Sequence, residues 1–366
     1  MRVLYLHRLP LHIYPPCLSQ ILLLKKLNVD VVLGYGDCDE QVKNLLEDRG
    51  VVCETLNIKR KKGVLSKIQG YFEYRRKALA FLKKNYRDGD IVWFGSADSC
   101  FAIGNKLSRI RYVLSILELY DDNAFYRKNI EKVIHDAECV IACEENRAAI
   151  MRSWWNLKCT PIVMPNKPYF HPREKKMRGS SENTEKMIAL MQGNISILYQ
   201  GIISEDRDLG QLAKALSHMN REINLYLMGR ENVAAIEKLK KIYPNTFYLG
   251  VAPAPYHLEV TSHAYIGVAN YDYSSLNNVF CAPNKIFEYC GFGIPVLAND
   301  VCGLQNTIGK SNAGLCVDFG CLKSIEEGIV NIIENYSVYS QNATRFFDSI
   351  DNQETMKKIV SKLEKL

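Results

Sequence analysis

At 366 residues the chain is long enough for two ordinary domains. Its 47% hydrophobic and 24% charged residues are a normal globular composition, and no apolar run of 18 or more residues marks a transmembrane helix. The net charge of +7 is unevenly spread: eleven basic residues against Glu73 alone lie between Lys59 and Arg87, an excess of +10 that points to an anionic surface partner.

The twelve cysteines form no C-x-x-C pair. The closest two, Cys139 and Cys143, flank the apolar run Val140-Ile141-Ala142. That pattern argues against a disulfide framework or a zinc site and predicts reduced, buried thiols in a cytoplasmic protein. The seven histidines are scattered without ligand spacing.

In chain order, MRVLYLHR reads as a first core strand, and MRVLYLHRLPLHIYPP is too short and interrupted for a secretory signal. Strands are predicted at 29–34, 51–56, 90–94, 112–117 and 139–142, with helices at 17–27, 41–49, 99–107 and 123–137 between them. A long basic helix is predicted over 65–86. Its apolar face would carry Leu65, Ile68, Phe72, Leu79, Leu82 and Tyr86, with Tyr71, Tyr74 and Phe81 among the basic residues. Such a helix suits an anionic membrane surface, and equally a core helix with a solvated basic face. No RNA- or DNA-binding signature accompanies the charge, so nucleic acid is not an expected partner.

PIVMPNKP, with Pro165 and Asn166, reads as the last strand of this half and its exit. The charged stretch HPREKKMRGSSENTEK then reads as a linker or surface insertion. The alternation restarts with strands at 197–200, 224–228, 247–249 and 265–269 and helices at 209–217, 233–241 and 257–261. Helices follow at 324–334 and 353–366. Two such series imply two α/β units with parallel sheets and a cleft between them as the natural ligand site. Asp37-Cys38-Asp39 and Asp88-Gly89-Asp90 spell D-x-D, but each sits in a turn beside a strand, so no metal site is read there. No G-x-G-x-x-G or Walker A loop follows a strand of the first half, which argues against a dinucleotide or ATP site.

The stretch from Asn277 to Ala298, NNVFCAPNKIFEYCGFGIPVLA, carries the chemistry. Pro283 suits a helix start, whose free N–H groups and partial positive charge suit a phosphate. Lys285 and Glu288 share a helix face. A cation near phosphates and a carboxylate about one turn deeper fit a nucleotide, since the carboxylate accepts from ribose hydroxyls. Gly291 and Gly293 end the helix, and Ile294 to Ala298 reads as a buried strand.

PNKIFEY followed by GIPVLA closely resembles the donor-binding signature of GT-B glycosyltransferases, in the retaining group common in bacterial capsule, exopolysaccharide and O-antigen assembly. The resemblance implies an α/β fold of two Rossmann-like domains with parallel sheets facing an interdomain cleft. It implies an acceptor-binding domain at 1–168, a linker or insertion at 169–195, a donor-binding domain at 196–345 and a C-terminal helix, 346–366, that crosses back. The implied reaction moves a sugar from a UDP- or GDP-sugar to a hydroxyl of a glycan acceptor, polyprenyl-diphosphate-linked, in surface polysaccharide synthesis. It needs no metal or other cofactor, and it places the enzyme on the inner face of the membrane as a peripheral protein.

Residue by residue, ILYQGIISEDRDLGQLAKAL resembles the family's first strand, glycine turn and helix, with Gly201 allowing close backbone approach. Arg207 would bind the donor pyrophosphate and, with Lys285, stabilise leaving-group charge. Its bland alternative is a surface arginine pairing with Glu205 or Asp208. INLYLMGRE ends at Gly229, and NTFYLGVAPAPYHLEV would hold the nucleobase around Val251 and Ala252. Pro283, Asn284 and Lys285 form the PNK segment. Glu288 matches the ribose-binding second glutamate of E-x7-E, but Phe280 stands where the first would be, leaving Asn277 and Asn278 as candidates to contact the donor sugar. Ile202 stands where many members carry an arginine. SILELYDD resembles a strand–HDLY segment in which Leu117 replaces histidine and Glu118 aspartate. Glu118 would orient an acceptor hydroxyl, act as a base, or merely cap the next helix. Asp98, after another strand end, ranks below it. Phe280 and Ile202 keep a different reading open: a non-catalytic subunit of the same fold that binds glycan or nucleotide and partners an active transferase. A nucleotide-sugar epimerase is a third.

Overall fold

Strands covered on both faces are written as continuous apolar runs rather than as alternation, and such runs build two parallel sheets here. The computed structural model describes residues 1–58, 64–191, 195–203, 207–230 and 232–365. It divides into two compact units, Met1–Tyr169 with Asp351–Leu366, and Phe170–Ile350.

The first unit holds β1 (Arg2–Pro10), β2 (Asp30–Asp37), β3 (Val52–Thr55), β4 (Ile91–Phe94), β5 (Arg111–Ile116), β6 (Cys139–Ala142) and β7 (Ile162–Val163), in the order β3-β2-β1-β4-β5-β6-β7. All neighbours run parallel. The C-terminal helix Asn352–Glu364 closes one face of this unit. Its Met356, Ile359 and Leu363 share a core with Cys17, Ile21 and Leu24 of the helix Pro15–Lys26. Both D-x-D segments serve local structure. Asp39 caps the helix Glu40–Asp48 by accepting from Gln41 N at 3.0 Å, and buried Asp90 pairs with Arg2 at 2.7 Å.

The basic helix spans Val64–Asn85, but its apolar face differs from the expected one. Phe72 is 69% exposed, whereas Tyr74, Ala78, Phe81 and Leu82 are buried. The spacing 74, 78, 81, 82 is a single helical stripe, and Tyr74 is anchored by donating to Ser99 O at 3.1 Å. Several of its cations are engaged: Arg75 donates to Ala102 O at 2.9 Å, Lys77 pairs with Glu73 at 2.7 Å and Lys84 with Glu54 at 3.0 Å. Lys59, Arg60, Lys61 and Lys62 lie outside the described residues, as do the side chains of Leu65, Lys67 and Ile68.

The second unit holds β8 (Ile195–Gln200), β9 (Ile223–Met228), β10 (Thr246–Gly250), β11 (Ile266–Ala269), β12 (Val296–Asn299) and β13 (Gly314–Val317), in the order β10-β9-β8-β11-β12-β13, again all parallel. The span expected as linker belongs to this unit from Phe170 and carries a helix, Glu182–Leu190. A capping box between Ser181 and Thr184 starts that helix, and Met187 buries it against the core. The helix Tyr336–Ser349 also belongs here, so the unit ends at Ile350, inside the stretch expected to cross back.

All twelve cysteines are free thiols; Cys159, Cys302 and Cys321 are exposed rather than buried. In each sheet the strand order reverses once, between β1 and β4 in the first unit and between β8 and β11 in the second. Open parallel sheets bind ligands outside the carboxyl ends of the strands at such a point.

Candidate functional site

In the second unit the reversal falls at the carboxyl ends of β8 and β11, Gln200 and Ala269. The helix Asn284–Gly291 faces that point. Pro283 is its N-cap, in extended conformation (φ −73°, ψ 140°), with no side-chain cap. A helix start left uncapped keeps its first N–H groups for another acceptor. Lys285 and Glu288 are both buried, at 5% and 6% exposure, on a helix whose residues 285–291 are all buried. Gly201 (φ +132°) follows β8, and a Cβ there would come within 3.1 Å of Lys285 Nζ. Gly229 (φ +149°) follows β9, and a Cβ there would overlap the carbonyl of Gly201. The two glycines therefore let the strand ends pack together beneath the lysine.

The Lys285 amine lies 4.1 Å from the centre of the Tyr199 ring and 5.7 Å from that of Tyr271. It has no hydrogen-bond partner among the described residues. Arg207 sits over the same Tyr271 ring at 4.5 Å and donates to its hydroxyl at 3.0 Å. Asp208 instead pairs with Lys238, at 3.5 Å, and Glu205 lies outside the described residues. Burial, and then the charge of Arg207, push the Lys285 pKa well below its ordinary value, against the pull of Glu288. A buried amine without a hydrogen-bonding oxygen, beside the Arg207 cation, is organised to receive an anion.

Glu288 has partners that the sequence did not announce. Its Oε1 lies 3.1 Å from His257 Nε2, and its Oε2 accepts from Gln200 Nε2. Thr261 Oγ1 lies 2.7 Å from Gln200 Oε1 and fixes the orientation of that amide. Burial works to raise the Glu288 pKa, but His257, by charge and hydrogen bond, and Gln200 outweigh it and hold the carboxyl below its usual range. The backbone carbonyl of Glu288 meets His171 Nε2 at 2.9 Å, and a Cβ on Gly291 would collide with that imidazole. The three partners His257, Gln200 and His171 lie 31 to 117 positions from Glu288 in the chain, beyond any local spacing rule. The only sequence signal is that Gln200 directly precedes the turn glycine.

The remaining candidates fall at varied places. Val251 is 51% exposed, and its carbonyl accepts from Asn183 at 3.2 Å, so the helix Glu182–Leu190 reaches the expected nucleobase loop. Asn278 lies in the short helix Leu276–Val279 and donates to Asp272 Oδ1 at 2.7 Å and Ser274 Oγ at 3.2 Å, which spends its amide on holding that loop. Asn277 is in the same turn, half-buried, and Asn284 is the first residue of the helix that bears Lys285. Ile202, where an arginine was expected, is exposed, and its carbonyl accepts from Tyr199 at 2.8 Å.

Glu118 belongs to the first unit. It follows β5 with its side chain half-exposed and pairs with buried Arg147 at 3.4 Å. At the reversal point of that unit, Asp98 is buried. It accepts from Arg8 Nε at 2.6 Å and from Ser96 Oγ at 2.6 Å, and the Arg8 guanidinium covers the Tyr71 ring at 4.5 Å. Asp98 is thus bound into an ion pair, which the sequence alone did not reveal.

No protein-family model matches the chain, and no curated protein matches it. Several solved structures resemble it throughout. They include Anabaena HepE in complex with UDP and glucose (TM-score 0.72, 15% identity, 100% of both chains covered). Sucrose-phosphate synthase from Thermosynechococcus elongatus matches with a TM-score of 0.71 and 15% identity, covering 100% of this chain and 98% of that one. UDP-GlcNAc 2-epimerase from Neisseria meningitidis, bound to UDP-GlcNAc, matches with a TM-score of 0.67 and 16% identity, covering 100% of both chains. At these identities the likeness is one of fold.

Proposed function

We propose that this chain, which has the GT-B fold, is a glycosyltransferase that takes its sugar from a nucleoside diphosphate sugar. The carrying observation is the buried Lys285 amine, without a hydrogen-bond partner among the described residues, one helical turn from the buried Glu288 carboxylate. A diphosphate supplies the anion that the amine lacks, and a ribose supplies hydroxyl donors for the carboxylate. The UDP and UDP-glucose held by HepE, and the UDP-GlcNAc held by the epimerase, support a donor of this class.

In this reading Glu288 binds the ribose, and the start of the helix at Pro283 and Asn284 meets the diphosphate with Lys285 and Arg207. As the bond from the anomeric carbon to the diphosphate breaks, negative charge grows on the leaving oxygen. The two cations stabilise that charge as it develops. They take the part a metal plays elsewhere, so no metal cofactor is proposed. An acceptor hydroxyl forms the new bond on the same face, giving retention, and its proton passes to the departing phosphate. Gly201 and Gly229 keep the strand ends low beneath the diphosphate, Val251 borders the base, and Asn277 contacts the sugar. Asn278 acts through the loop it holds. Glu118 orients the acceptor from the first unit. The acceptor is a lipid-linked glycan of a surface polysaccharide, drawn to an anionic membrane by the basic helix.

Thermal shift of the full chain against UDP, GDP, ADP, CMP and dTDP tests the donor site, since a ligand at 100 times its Kd stabilises by about 2.7 kcal/mol. A selective rise that Glu288→Ala abolishes supports the reading, and sugar transfer that continues in EDTA supports its metal independence. No rise with any nucleotide, from a folded sample, refutes it in favour of the non-catalytic partner. Donor turnover without an acceptor would instead make the chain an epimerase.

A further inference from the structure

Glu288 has a carboxylate with about four lone-pair sites, two on each oxygen. One site on Oε1 is taken by His257 Nε2 at 3.1 Å, and one on Oε2 by Gln200 Nε2. Each oxygen therefore keeps one site for a ligand. Gln200 cannot rotate its amide without losing Thr261, whose hydroxyl is 2.7 Å from Gln200 Oε1 and 2.9 Å from the His257 carbonyl. The Gln200 backbone N–H donates to Tyr289 Oη at 3.1 Å, and that hydroxyl donates to Leu198 O at 2.9 Å, so β8 and the helix bearing Glu288 are tied beside the carboxylate. His257 opens the helix His257–Thr261 and is itself only 14% exposed. Nothing else among the contacts described for Glu288 Oε1 fixes its direction.

We infer that His257 is a positioning residue that, with Gln200, sets the Glu288 carboxylate so that its two oxygens receive two adjacent hydroxyls, which makes a ribonucleoside diphosphate sugar, rather than a 2′-deoxyribonucleoside one, the donor. This rests on the donor-site reading given above. A carboxylate held from one side only would turn toward either hydroxyl and accept a deoxyribose with little loss. Held from both sides, it leaves one lone-pair site without a donor when the 2′-hydroxyl is missing, and a hydrogen bond to a charged group is lost.

The test measures Kd by calorimetry for UDP and GDP and for their 2′-deoxy counterparts, on the wild-type chain and on H257A, H257N and H257Q. The wild type favours the ribonucleotide by about ten-fold or more, the loss expected for one hydrogen bond to a charged group. H257N, too short to reach Glu288, brings the ratio to near unity, as does H257A. H257Q, whose amide can donate from about where the imidazole Nε2 stands, restores it. With UDP- or GDP-sugar as substrate the change falls on KM more than on kcat. A purely structural histidine would alter melting temperature without altering the ribose-to-deoxyribose ratio. Equal discrimination by wild type and H257N overturns the role of His257 and leaves the donor site standing. Failure of the wild type to bind any nucleoside diphosphate overturns the donor site, and this inference with it.

Discussion

Lys285→Met separates a binding lysine from a structural one, because the two roles predict opposite changes. The replacement keeps an unbranched apolar stem against Tyr199 and removes an amine that has no hydrogen-bond partner among the described residues. Losing the ring contact costs about 0.5–2 kcal/mol, while relieving an unsatisfied buried polar group returns about 1–3 kcal/mol. The depressed pKa favours the second term: the environment of Lys285, led by burial and then by Arg207, disfavours the cation even with Glu288 nearby. The ligand-free variant should therefore be more stable by about 1 kcal/mol, a rise of roughly 2–4 °C in Tm for a unit of this size. Binding moves the other way. A charge-assisted hydrogen bond contributes about 1.5–3 kcal/mol, so the Kd for the preferred nucleoside diphosphate should weaken about 10- to 150-fold. The pH dependence gives a second check. Because the folded pKa lies below the unfolded one, the unfolded chain binds more protons in the interval between them, and wild-type stability rises with pH across it. Lys285→Met should lack that rise. Melting curves from pH 6.5 to 9, with and without nucleotide, measure all three effects. A variant that melts lower yet keeps its nucleotide affinity would refute the reasoning and make Lys285 a structural residue.

Gly229→Ala should lower stability by more than about 3 kcal/mol, or prevent folding, because φ is +149° and the new Cβ would overlap the Gly201 carbonyl; circular dichroism melts report it, and a change below about 1 kcal/mol would contradict the close approach. Acid should destabilise the chain before its carboxylates titrate. Burial lowers both His7 and His171 to about 4 from the ordinary 6.5, against the opposing pull of Asp98 on the first and of Glu288 on the second. A depressed histidine contributes stability that is fully present above pH 6.5 and is lost as pH falls toward 4, up to about 3 kcal/mol for each at 1.36 kcal/mol per unit. Urea melts at pH 7, 6, 5 and 4 should show the midpoint falling across this window, and a flat profile down to pH 4 would refute neutral burial of these imidazoles. Glu288→Gln should lower the melting temperature, since it removes the charge that His257 and Gln200 hold, and should abolish nucleotide-induced stabilisation above the variant's own baseline, which differential scanning fluorimetry reads directly; an unchanged ligand shift would remove Glu288 from the donor site.

What the sequence made legible, and what it hid, follows from the range of the forces involved. Strands such as Val3–Leu6 and Leu225–Met228 are buried on both faces and so are written as apolar runs. The helix from Asn284 to Gly291 carries its own start and stop in Pro283 and Gly293. These are local signals. β13 was missed because it is a four-residue edge strand opening on Gly314, with Leu315 and Cys316 only half-buried, so it resembles a turn. The helix Glu182–Leu190 was missed because the polar residues around it outnumber the few methionines that anchor it. In the basic helix the periodicity was real but its phase was misjudged: Phe72 is more apolar than Tyr74, yet Tyr74 is the one buried, on the stripe with Ala78, Phe81 and Leu82, where its hydroxyl donates to the Ser99 carbonyl. The same limit governs the site. Lys285 and Glu288 were legible as a pair because one helix carries both. Gln200 and His257 converge on Glu288 from a strand end and a separate helix, with Thr261 behind Gln200, and no spacing rule spans that distance. A motif thus identifies which group meets a ligand, whereas the direction in which that group points is set by residues far away in the chain. Discrimination between closely related ligands depends on direction, so it resides in Gln200, His257 and Thr261 rather than in the motif.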